Sequence, residues 1–154
     1  MRKPLIGALL ALATTCSLAA DPAALRVDAP YLRLPPPGAA ATGAFMRIDN
    51  DGSSARQLVR ADSPAAETVE LHTHINENGM MKMRAVPAIP IPAGGSTELK
   101  PGSYHVMLIG MKQALKAGDS VPITLRFDDG TQLRIEAPAR PIHAEGMMHG
   151  GMKH

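Results

Sequence analysis

The 154-residue sequence contains no Trp, only two Tyr and two Phe, and 16 Lys and Arg against 14 Asp and Glu. A chain this poor in aromatic side chains and this evenly charged lacks the basic face and the stacking surfaces of a nucleic-acid binder. Its single cysteine, Cys16, excludes an internal disulfide, and its length suits one domain with one core.

Residues 1–20, MRKPLIGALLALATTCSLAA, open with Arg2 and Lys3, run apolar from Leu5 to Ala13 and close on small residues. That is the layout of a secretory signal peptide. Cleavage is expected after Ala19 or Ala20, which leaves the remainder outside the cytoplasm. Cys16 follows Ala-Thr-Thr, a poor lipoprotein processing site. Removing the leader takes away Arg2 and Lys3, so the rest carries 14 charges of each sign and no cysteine. No other apolar run approaches the roughly 18 to 20 residues that cross a bilayer as a helix, and no membrane span is expected.

Residues 21–140 read as one all-β domain. Their apolar stretches are short and broken by Gly, Pro and Asp, and none keeps a 3.6-residue period. Strands are expected at 25–29, 42–49, 56–61, 67–74, 80–86, 96–99, 104–109, 120–127 and 131–138. The proline-rich LPPPGAAATG and VPAIPIPAGG should be loops or edges, since each proline removes a ladder donor. Asp129-Gly130 suits a tight turn between Val121, Ile123, Leu125 and Phe127 on one side and Leu133 and Ile135 on the other. Strands of this number and spacing predict a small antiparallel sandwich or barrel. Residues 141–154, PIHAEGMMHGGMKH, hold one Ile among three Gly, three Met and three His and read as a flexible tail.

The chemistry concentrates in ELHTHINENGMMKMRAV, residues 70–86, and YHVML, residues 104–108. A period of two puts Tyr104, Val106 and Leu108 toward the core and His105 and Met107 together on the opposite, outward face. By the same alternation Val69 and Leu71 face inward, while His72 and His74 point outward with Glu70. Imidazole and thioether form a soft ligand set that suits Cu(I) better than hard ions, and zinc would more often bring Cys or carboxylate. Outside the cytoplasm thioethers cannot drift into disulfides as thiolates do. Met46, Met80, Met81 and Met111 taken singly read as packing or surface residues. His74 is undecided between ligand, support and surface.

His72, ten residues, Met83, twenty-one residues and His105-Val106-Met107 give the spacing H-x10-M-x21-H-x-M. This resembles the signature of PCuAC, a family of periplasmic copper(I) chaperones. The resemblance runs from about residue 42 to 138 through ETVELHTH, MKMRAV and IPIPAGGSTELKPGSYHVMLIGMKQALKAGDSVPITLRF. It implies a cupredoxin-like β-sandwich in the periplasm that binds one Cu(I) through His72, Met83, His105 and Met107. The implied partner is a copper acceptor, either the dinuclear copper site of a cytochrome c oxidase subunit or another copper chaperone. His143, Met147, Met148, His149, Met152 and His154 form a candidate auxiliary site on the tail, whose imidazoles also suit Cu(II). Copper sequestration is the alternative reading. A blue-copper carrier would need a Cys ligand, and no HExxH or activated-serine signature points to an enzyme. A monomer is expected.

Overall fold

The computed structural model describes residues 24–142. The expected leader at 1–20 and the tail residues His143, Met147, Met148, His149, Met152 and His154 lie outside the described residues. Ten strands follow in chain order: β1 Leu25–Arg33, β2 Ala41–Asn50, β3 Arg56–Asp62, β4 Ala66–Glu77, β5 Met80–Ala85, β6 Ile89–Ile91, β7 Gly95–Leu99, β8 His105–Met111, β9 Ser120–Phe127 and β10 Gln132–Arg140. There is no α-helix among the described residues, so the fold is all-β as expected.

The strands hydrogen-bond in the order β5-β4-β8-β2-β1-β10-β9-β3-β6, and β7 pairs with the far half of β2. β1 joins the two halves of this path. It runs antiparallel to β2, is interrupted by a bulge between Asp28 and Tyr31, and then pairs parallel with β10 at Leu32 and Arg33. Ala29, with φ of 45°, sits in that bulge, where the extra residue bends the strand from one layer toward the other. Ile48, Leu71, Val106 and Leu108 from the first half meet Leu58, Ile89, Ile91, Ile123 and Leu125 from the second in one core.

β9 shows the alternation at its clearest, with Val121, Ile123, Leu125 and Phe127 buried and the residues between them not. Its hairpin to β10 turns at Asp129-Gly130: Gly130 takes φ of 86°, and the Asp129 carboxylate accepts from the Thr131 N–H and hydroxyl, both at 2.9 Å. The proline-rich VPAIPIPAGG contributes β6, which ends the strand order and so lies at an edge. Its Ile89 and Ile91 are fully buried, core residues that the flanking prolines conceal in the sequence. The other strands begin and end within a few residues of expectation, the largest difference being the extension of β1 past the bulge to Arg33.

Asp62 ties β3 to β9, accepting from Arg126 Nε at 2.7 Å and from Arg60 Nε at 2.8 Å. The Arg126 hydrogen bond, helped by Arg60, holds the Asp62 carboxyl below its ordinary value of 3.8 against a partial burial that works the other way. The folded state therefore stays ionised to lower pH than the unfolded chain. The resulting stability is fully present above the unfolded value and is lost as pH falls through the folded one. Asp62→Asn should be less stable than the parent at about pH 6, with the gap closing toward about pH 3. Urea denaturation across that range checks this, and a gap independent of pH would contradict it.

Candidate metal centre

The β4–β5 hairpin turns on Asn78 and Gly79, with φ of 54° and 82°. Two consecutive positive φ values make the two-residue turn whose twist matches that of the strands it joins, and the Gly79 N–H donates to the Asn76 side chain at 2.8 Å. The turn fixes the register, pairing His74 with Met83 and His72 with Ala85. On its other edge β4 pairs His72 with His105 and Glu70 with Met107. β8 in turn places Met107 opposite Gly43 of β2.

Directly opposite residues share a face with Cβ atoms roughly 4.5–5.5 Å apart, and diagonal ones stay within reach of long side chains. His72, His105, Met107 and Met83 thus gather on one face of three adjacent strands, with Met83 opposite His74 and diagonal to His72. The expected alternation holds, since Val106 and Leu108 are fully buried on the core side. One expectation fails: His105 does not project outward into solvent and is only 2% exposed. Its ring is enclosed by those of His74, His72 and Phe45, with centroids 5.2, 5.7 and 6.0 Å away. Met83, on the edge strand β5, is 45% exposed, so the site grades from a buried imidazole to an open thioether.

Hydrogen bonding fixes the histidine tautomers. A carboxylate and a carbonyl can only accept, so His72 carries its proton on Nε2, donating to Glu70 at 2.7 Å. His105 carries its proton on Nδ1, donating to the Ser103 carbonyl at 3.0 Å. The opposite nitrogens, His72 Nδ1 and His105 Nε2, are buried without a hydrogen-bond partner, as is His74 Nδ1. Burial pushes the His105 pKa below its ordinary 6.5, and His74 and His72 add to that against the Ser103 hydrogen bond. Its free nitrogen is therefore a neutral lone pair at neutral pH.

Two imidazoles on one ion, at metal–nitrogen distances of about 2.0–2.1 Å, place their ring centres roughly 4.5 to 5.8 Å apart. The His72–His105 separation of 5.7 Å falls in that range. Among the described residues no three His, Cys, Asp or Glu side chains already converge as a metal site. Sequence reasoning missed Phe45 as a wall of the site, and Gly43 too. A Cβ on Gly43 would lie 3.0 Å from the Phe45 ring and 3.8 Å from the His105 ring, so the absent side chain leaves room for those two rings. It missed as well that Glu70 orients His72, although two positions along a strand is a spacing that could have shown it. Met46 is a core residue, Met111 packs against the core, and Met80 and Met81 are exposed.

Residues 25–139 match the family described as "Putative lipoprotein LpqE-like". The chain belongs to the LpqE-like family. A Leifsonia xyli relative described as "Putative lipoprotein Lxx21020" is 38% identical over 104 residues, covering 67% of this chain and 63% of the relative. Among solved structures, the solution structure of the Cu(I) form of DR1885 from Deinococcus radiodurans is 35% identical with a TM-score of 0.61, covering 74% of this chain and 76% of that one. The copper-bound PCuAC domain of PmoF2 superposes with a TM-score of 0.66 over 77% of this chain and 93% of that domain, at 21% identity, a likeness of fold. The cupredoxin-like PCuAC fold implied by the sequence resemblance is the fold found.

Long-range proton–nitrogen NMR of the metal-free protein at neutral pH should show His72 protonated on Nε2 and His105 on Nδ1. The reverse assignment at either ring would contradict the hydrogen bonding described.

Proposed function

We propose that this protein is a periplasmic copper chaperone that carries Cu(I) on His72, Met83, His105 and Met107 and passes it to a partner protein. The observation that carries the reading is the pair of buried, unpartnered nitrogens, His72 Nδ1 and His105 Nε2, on rings spaced as two ligands of one ion. Leaving a polar atom buried and unpaired costs about 1–3 kcal/mol, and a ligand on each nitrogen removes that cost. Two imidazoles and two thioethers form a neutral, soft set that favours Cu(I). The Cu(I) form of the 35% identical Deinococcus relative supports the same cargo, and the lipoprotein descriptions of relatives support a place outside the cytoplasm, with residues 1–20 as a removed leader.

Binding and release require no nucleophile and no general base from the chain. Glu70 and the Ser103 carbonyl hold the two imidazoles in the tautomers that present a lone pair. Met83, on an exposed edge strand, is the ligand that an incoming partner can displace first, while buried His105 keeps its hold longest. The acceptor in this reading is the dinuclear copper site of cytochrome c oxidase or another copper chaperone. Residues 21–140 form the copper-binding domain, and the tail ligands His143, Met147, Met148, His149, Met152 and His154 serve as an auxiliary capture site.

Met107→Leu tests the reading. The swap nearly conserves volume and should cost less than about 1.5 kcal/mol of stability, while Cu(I) affinity falls by about 100-fold or more, at or beyond the upper end of what losing a mere supporting group costs. Competition with a Cu(I)-specific chelator measures affinity, and mixing the loaded protein with the apo copper domain of the oxidase measures delivery. Retained affinity would make Met107 a packing residue. Several ions bound with none delivered would favour sequestration.

A further inference from the structure

His74 belongs to none of the roles assigned above, yet its surroundings are those of a ligand. Its Nδ1 is buried with no hydrogen-bond partner, its ring centroid lies 5.2 Å from that of His105, and it stands directly opposite Met83 across the β4–β5 ladder. The 5.2 Å spacing lies within the roughly 4.5 to 5.8 Å that two imidazoles on one ion require. With His72 and His105 it makes three imidazoles on one face of β4 and β8, each with one buried nitrogen left unpaired.

We infer that His74 is an alternative ligand that takes the place of Met83 when the bound ion is Cu(II), so that one site holds either oxidation state by exchanging two side chains that face each other across a hairpin. The inference rests on the copper reading and deepens it. Thioether sulfur suits Cu(I), whereas Cu(II) prefers nitrogen and oxygen donors in tetragonal arrangements, and His72, His74 and His105 supply three nitrogens without unfolding a strand. Since no such triad is already convergent among the described residues, His74 must turn about its Cβ–Cγ bond, a broad torsion for an imidazole. Met83 can swing away at little expense, because its strand lies at the sheet edge and the side chain is nearly half exposed.

The experiment uses the chain through residue 154 with His143, His149 and His154 changed to Ala, so that tail imidazoles do not contribute, with and without His74→Phe, which keeps a flat ring and removes both nitrogens. Cu(I) and Cu(II) are titrated separately against competing chelators, and the Cu(II) form is examined by electron paramagnetic resonance for nitrogen hyperfine structure. The expected result is a Cu(I) affinity unchanged within about threefold and a Cu(II) affinity lowered by about 100-fold or more, with one directly bound imidazole lost from the spectrum. Unchanged Cu(II) affinity and spectrum, or equal loss of both ions, would overturn the inference. So would a tail-silenced parent that binds Cu(I) but no Cu(II). A parent that fails to bind Cu(I) would overturn the chaperone reading instead. If His74→Phe does not fold, His74→Gln gives the same comparison.

Discussion

The register of β4 against β8 is the constraint on which the candidate site depends. It sets His72 opposite His105 and Glu70 opposite Met107, and the side-chain period of a strand is two. A slip of β4 by one residue would turn Leu71 out of the core and His72 and His74 into it. The core enforces the alignment, because Leu71, Val106 and Leu108 are buried on the far side of the same two strands. Apolar burial on one face thereby positions polar chemistry on the other. The Asn78-Gly79 turn extends the alignment to β5, where a single register brings Met83 beside His74.

The non-core face is not ordinary surface at this point. Phe45, Gly43 and the three histidines enclose a small region in which imidazole nitrogens are desolvated but unpaired. Buried polar groups are nearly always hydrogen-bonded, so three exceptions on neighbouring rings call for a physical reason. Glu70 and the Ser103 carbonyl each engage one nitrogen of His72 and His105, which leaves a lone pair on the other. A ligand that completes these rings would return free energy that the metal-free fold forgoes, and this fits the proposed role of holding an ion and giving it up.

Much of this was legible in the sequence. The all-β class, the Asp129-Gly130 hairpin and the core of β9 follow from period-two alternation and turn chemistry, and the alternation through YHVML separates Val106 and Leu108 from His105 and Met107. What alternation cannot show is what covers the second face. His105 was expected outward because a strand has two sides, but whether the other side meets water depends on Phe45, sixty residues earlier, which only the pairing order brings alongside. Ile89 and Ile91 were hidden for a different reason: prolines argue against a strand locally, while an edge position tolerates them. Asn78-Gly79 was a readable turn signal, and using it would have aligned Met83 with His74 in advance.

Ligation by two methionines and two histidines is tested by copper K-edge X-ray absorption of the Cu(I)-loaded protein, compared with its Met83→Leu and Met107→Leu variants. Two sulfur and two nitrogen scatterers are expected around a single copper, with one sulfur lost in each variant. An all-nitrogen shell, or a shell unchanged by both substitutions, would contradict it.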